Sequence, residues 1–283
     1  MEFWMGDEAN AQRYAALALN PPLDKIKGAP MLAQSAFEED RYYGLPAMAQ
    51  VSGDVAVIKI SGTLIAGEAT WRRLYGYIGY EDIKGAIIEA LGRSDINSIM
   101  LYMDTSGGMV NGVESTAKMI REAGKVKPIT AYAATAASAG YWLASAAEYI
   151  VADNTSVLAS LGSIMQFVNL VEYYAKEGVK YHTFKSGSLK MAGNPVEEMS
   201  EEAKKYFQEQ VDDMTTIFYA AIAKNRAKDP VAMRKEFGDG RAVLGARALA
   251  GGLIDELGGM GAALTKARML AESRGTGINM GNV

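Results

Sequence analysis

The chain has 283 residues, 49% of them hydrophobic, enough to bury a core in one large domain or two small ones. A net charge of -4 gives no electrostatic footing for nucleic acid, whose binding leans on clustered Lys and Arg. Zero cysteines exclude disulfides and thiolate chemistry, and the single histidine, His182, has no neighbours with which to build a metal site.

In chain order, residues 1–50 read as an arm with no sustained hydrophobic period. Its acidic start, Met1 to Asn10, lacks the basic and apolar regions of a secretory signal. From Val51 the pattern tightens into a globular domain that reaches about residue 272. Val55 to Ile60 is a near-continuous apolar strand ended by Ser61-Gly62. Ile83, Ala86, Ile87, Ala90 and Leu91 lie at helical spacing and predict a helix over 81–92. Ile99 to Met103 predicts a strand, and Val113, Ala117 and Ile120 a helix over 110–123. Ile129 to Ala134 is a third strand, a helix is expected over 138–147, and Tyr149 to Val151 is a fourth strand.

Pro128 to Ala147 carries no charge and has the length of a membrane span, but its Ala, Thr, Ser, Gly and Tyr content suits a buried strand–turn–helix better. Phe167 to Lys176 reads as helix, and Tyr181 to Phe184, which holds His182, as a short strand. Ser200 is placed to cap a long helix that opens with Glu201 and Glu202. Helices over 230–236, 244–250 and 259–272 follow, and residues 273–283 are read as a flexible, Gly/Asn-rich tail. Strands alternating with helices imply an α/β fold with a largely parallel sheet.

Three segments combine sharp turns with polar residues. Asp104-Thr105-Ser106-Gly107-Gly108 follows a buried strand, and its paired glycines free backbone N–H groups to hold a developing negative charge. The plain alternative is an ordinary turn. Ser138, in Ala136-Ala137-Ser138-Ala139-Gly140, sits where a hydroxyl is presented at a helix start; it could equally be only a cap. Lys185-Ser186-Gly187-Ser188-Leu189-Lys190 supplies lysines. A lysine serves as general base only when burial brings it below its ordinary range near 10.4, and most lysines are simply solvated.

Taken together, these segments resemble peptidase family S49, the signal peptide peptidase A-like serine peptidases, and within it the phage branch of head-maturation proteases. The resemblance covers roughly residues 55–258. It runs through Ser61-Gly62-Thr63-Leu64, Met103 to Val110, Ser138-Ala139-Gly140 with Leu143 to Ala147, Ser186 to Lys190 with Gly193-Asn194-Pro195, and Gly252 to Leu257. Five ordered matches are specific where each alone is weak.

The resemblance implies a ClpP/crotonase-like fold of stacked β-β-α units and a Ser–Lys peptidase without cofactor or metal. Ser138 is then the nucleophile, Lys190 the general base, and the Gly108 and Ala139 amides the oxyanion hole. A further serine orients the lysine: Ser160 by gap-free alignment, with Ser163 as competitor. Ser106 stands where the family usually has proline, and Ala159 where it usually has glycine.

The substrate expected is a polypeptide, such as a capsid or scaffold protein during phage head maturation in the host cytoplasm. A signal-peptide or oligopeptide peptidase is the alternative, and a lapsed peptidase kept for assembly is an alternative of another class. A homo-oligomer is expected, with no nucleic-acid partner and no membrane anchor.

Overall fold

The computed structural model describes residues 4–5, 35–39 and 46–279. The two-residue strand β1 (Trp4–Met5) belongs to a small sheet, while β2 (Ala49–Ser52) pairs antiparallel with β3 (Val55–Ser61) at the edge of a large one. From β3 onward a unit repeats: a long strand in the large sheet, a short strand in the small sheet, then a helix. The first unit continues through β4 (Thr63–Ile65), a 3-10 turn over Thr70–Tyr75, β5 (Tyr77–Gly79) and α1 (Tyr80–Gly92). The second is β6 (Ser98–Thr105), β7 (Gly108–Met109) and α2 (Val113–Val126). In the third, β8 (Ile129–Ala137) passes directly into α3 (Ala139–Ser145).

The chain then adds β9 (Tyr149–Ala152), β10 (Val157–Ala159), α4 (Val171–Lys176), α5 (Glu201–Asn225), α6 (Pro230–Phe237), β11 (Ala242–Leu244), α7 (Gly245–Ala250), β12 (Glu256–Leu257) and α8 (Met260–Asn279). The small sheet has the order β1-β7-β4-β5, and the main path of the large sheet is β11-β10-β8-β6-β3-β2. Its central pairs, β3–β6, β6–β8 and β8–β10, are all parallel. Parallel strands covered on both faces read as unbroken apolar runs, and Ile99, Met100, Leu101 and Met103 of β6 are fully buried. This is the stacked β-β-α arrangement expected from the sequence.

Three helices begin where a side chain satisfies an amide at the helix start. Ser200 Oγ accepts from Ala203 N–H at 3.2 Å, as the sequence predicts. Asp229 accepts from Ala232 N–H, with Pro230 in the first turn of α6. Asp82 reaches back to accept from Gly79 N–H at 3.0 Å and Ala69 N–H at 2.9 Å, so one carboxylate closes both the start of α1 and the loop before β5.

The core runs between α1, α2, α3 and α5 and the large sheet. Trp142 of α3 stacks on Phe218 of α5 at 5.0 Å between ring centroids. On the same contact, Asn225 donates to Ser145 Oγ and accepts from Arg121, which ties α5 to α3 and α2. The Arg226 guanidinium, nearly enclosed, grips Asp255 with both terminal nitrogens and so fastens the segment before β12.

Some expectations shift. The segment Tyr181 to Phe184 is not a strand, and His182 is exposed in a loop. Helix α4 starts at Val171 rather than Phe167, and α2 continues through Gly124 to Val126.

Candidate active site

Ser138 is the hinge between β8 and α3, and it adopts φ 54° and ψ -122°. A non-glycine residue held there costs about 1–3 kcal/mol, so the surroundings must impose it. They do. Ser138 N–H donates to Ala159 O at 2.6 Å, and Ser138 O accepts from Trp142 N–H at 3.0 Å. The turn is also pinned from below, because a Cβ on Gly140 would lie 2.5 Å from Thr105 Cγ2. Only glycine lets α3 approach the end of β6 so closely. Ser138 is 2% exposed, and the one acceptor of its hydroxyl among the described residues, Gly162 O, is 3.5 Å away. That is too long for a firm hydrogen bond.

Beyond β10 the chain repeats the strain. Ala159 has φ 70° and Ser160 φ 51°, so three left-handed non-glycine residues meet across the β8–β10 pair. This explains why a glycine would suit position 159. Among the described residues the Ser160 hydroxyl makes no hydrogen bond. Ser163 is different: its Oγ donates to Val211 O at 3.0 Å and accepts from Thr215 Oγ1 at 2.9 Å, both on α5.

Ser138, Ser160 and Ser163 line one wall of a cavity of about 340 Å³, faced by Asp212, Arg234 and Asp239 from α5, α6 and the loop after it. Arg241 pairs with Asp239 and holds its carboxyl below the usual carboxylate range. Behind the wall, Tyr219 OH contacts Leu161 O and Phe237 O at 3.1 and 3.0 Å, and burial pushes its phenol up to about 12. It stays protonated and braces both sides.

The two amides proposed for an oxyanion lie on neighbouring elements. Ala139 is the first residue of α3, where N–H groups lack intrahelical acceptors. Gly108 lies in β7, which packs against α3. Its own Cβ would fall 2.0 Å from Leu64 O, so no other residue fits between β7 and β4.

Lys190 is not brought to this cavity within one chain. It is exposed in the turn from Gly187 to Gly193 and has no hydrogen bond or ion pair from its amine among the described residues. That turn belongs to an arm, residues 164–200, in which no residue is buried. The arm is hooked at its base, where Phe167 packs on Phe207 at 4.3 Å and Leu170 N–H donates to Pro195 O. It leaves exposed Val168, Tyr173, Met191 and a Phe184 that is 95% exposed.

Of the residues singled out from the sequence, Ser138 and Ser160 line the cavity, Ala139 and Gly108 lie on the adjoining α3 and β7, and Lys190 does not line it. Sequence reasoning missed Asp212, Arg234 and Asp239, which lie 50 to 80 residues downstream of Ser160 in ordinary amphipathic helices and a loop. Nothing local marks them.

The sequence profile of peptidase family S49 matches residues 121–274. Capsid assembly protease C of Escherichia phage lambda is 30% identical over 236 residues, 83% of this chain and 53% of that protein. A protein assigned as signal peptide peptidase SppA in Enterococcus faecium is 33% identical over 58% of this chain and 48% of its own length. Head-tail preconnector protein GP5 of Enterobacteria phage P21 is 30% identical over 62% of this chain and 35% of its own. The chain thus spans about half the length of the curated relatives it matches. Among solved structures, a chain assigned as an enoyl-CoA hydratase/isomerase from Acinetobacter baumannii aligns with TM-score 0.46 and 15% identity, over 79% of this chain and 80% of that one.

Proposed function

We propose, for a chain that belongs to peptidase family S49, that it is a serine endopeptidase whose nucleophile is Ser138 and whose general base is Lys190. The observation that carries this reading is the strained, buried Ser138, held by backbone contacts with its hydroxyl uncommitted beside a polar cavity. Strain of this kind persists where the surrounding structure over-determines it, and catalytic turns are such places.

The reaction needs a neutral amine to take the Ser138 proton as Oγ attacks the substrate carbonyl. The oxyanion accepts from the Gly108 and Ala139 amides, and Ser160 holds the amine in line. The protonated amine then passes its proton to the leaving nitrogen, giving an acyl-serine. Water, deprotonated by the same amine, releases the product and restores the serine.

Within one chain the base is missing from the site, because Lys190 is in water on an arm without a core of its own. The proposal therefore includes a homo-oligomer in which the arm of one copy, with its exposed Phe184 and Tyr173, packs on the next and delivers Lys190 to that copy's Ser138. Packing the arm also removes the water that keeps a lysine charged.

The test is complementation. Ser138→Ala and Lys190→Ala are each expected to lower kcat by a factor of about 10³ or more. Mixed in equal amounts under conditions of subunit exchange, they are expected to recover about a quarter of parental activity, since only such hybrid interfaces unite an intact serine with an intact lysine. No recovery after verified exchange would place the dyad within one chain. Full activity in either single variant would remove the dyad altogether.

The substrate reading follows the phage relatives: capsid or scaffold proteins cut during head assembly, in the host cytoplasm or prohead. Co-expression with candidate capsid proteins should give shortened bands that vanish with Ser138→Ala. The SppA relative favours a second reading, cleavage of apolar signal-peptide remnants, and such peptides offered in the same assay separate the two. Among the described residues, no helix is long and apolar enough to cross a membrane.

A further inference from the structure

Strand β7 has two edges. On one, Gly107 O accepts from Leu64 N–H at 2.9 Å, with Leu64 opposite Gly108, so β4 holds that side. Successive residues of a strand turn their backbone groups to opposite edges, which aims the N–H and C=O of Gly108 away from β4. The edge they face is filled by β1. The pairing is antiparallel, with Met5 opposite Gly108 and Trp4 opposite Met109.

The polarity matters. β1 runs from Met109 towards Gly108, the end of β7 that leads back to Thr105 and so to Gly140 and the Ser138 turn. Gly108 presents no side chain to obstruct that edge. An open strand edge is a template for any extended polypeptide, whatever its side chains.

We propose that the outer edge of β7 is a peptide-binding surface whose resident ligand is this chain's own N-terminal strand, and that a substrate must displace β1 before its carbonyl can reach the Gly108 amide. The proposal rests on the peptidase reading above for what the edge is used for, but the occupancy of the edge stands apart from it. A resident strand lowers apparent affinity in proportion to the fraction of time the edge is open, and leaves the chemical step alone.

The full chain carrying Trp4→Pro and Met5→Pro tests this, because proline removes the N–H donors that β1 offers to the ladder. With a short peptide substrate, apparent KM is expected to fall about tenfold with kcat unchanged, the worth of one or two backbone hydrogen bonds. Two readouts do not need turnover. The Gly108 amide should exchange with solvent about tenfold faster in the proline variant. A labelled peptide of residues 1–10 should bind the proline variant in a Ser138→Ala background about tenfold more tightly than it binds Ser138→Ala alone.

Equal peptide affinity in the two backgrounds, no peptide binding to either, or unchanged Gly108 exchange would overturn the proposal. Loss of turnover in every variant with the exchange and binding changes intact would instead count against the peptidase reading. Should the proline chain melt well below the parent, a chain lacking residues 1–5 gives the same comparison.

Discussion

Ser160 and Ser163 are three residues apart and differ in what their hydroxyls already do. Ser163 has given its proton to Val211 O and receives one from Thr215, so it serves the seam between the β10 loop and α5. Ser160 is uncommitted and faces the same cavity as Ser138. Ser160→Ala is therefore expected to lower kcat about 10- to 100-fold, the value of a hydrogen bond to a charged amine, with little change in Tm. Ser163→Ala should do the reverse, costing about 1 kcal/mol of stability with kcat nearly intact. Steady-state kinetics beside thermal melts decide it, and matching losses of kcat in both would remove Ser160 from its proposed role.

The alignment that selects Ser160 was legible in the sequence. The reason it is uncommitted was not, because two left-handed residues at Ala159 and Ser160 leave no mark in their side-chain types.

At the scale of elements, Asp82 shows what burial does to a structural carboxylate. Desolvation raises its pKa above the usual range, and the Ala69 and Gly79 amides oppose that without cancelling it. A folded-state pKa above the unfolded value means that protonation favours the fold. This contribution is present below the unfolded pKa and is lost as pH rises through the folded one. Asp82→Asn keeps an acceptor for both amides and has no charge to bury, so at pH 7 it should be at least as stable as the parent. The difference should close as pH falls towards the ordinary carboxylate range. Asp82→Ala strands two buried donors and should cost about 2 kcal/mol at either pH. Urea titrations at pH 7 and pH 4 check both, and a less stable Asn variant at pH 7 would contradict the sign.

Elements also show where pattern reading succeeds. Strands β3, β6 and β8 were visible because central parallel strands are apolar on both faces. Strands β4 and β7, of three and two residues, are too short to carry a period. Yet β7 holds the Gly108 amide, and only the Gly-Gly pair before Met109 hinted at it.

For the whole molecule, the dominant fact is the division between a well-packed body and the arm over residues 164–200. The body's layers were foreseeable from alternating strands and helices. The separation of Lys190 from Ser138 was not, since a sequence gives order along the chain but not which segments will stand clear of the core. Phe184, the almost wholly exposed aromatic of the arm, is the residue to probe. Burying an aromatic ring at an interface is worth about 2 kcal/mol or more, and replacing it with a charge opposes burial outright. Phe184→Asp is expected to shift the chain towards smaller species in sedimentation and to make activity fall on dilution at concentrations where the parent holds. Unchanged assembly with unchanged activity would remove the arm from the interface.

The backbone turn at Ser138 has one more consequence. The position of the Ser138 side chain is fixed by main-chain bonds to Ala159 and Trp142 rather than by the hydroxyl itself. A sulfur atom installed there by Ser138→Cys would inherit the same seat, and in a polypeptide without any other thiol it would be a unique point for attaching a spectroscopic reporter at the wall of the cavity.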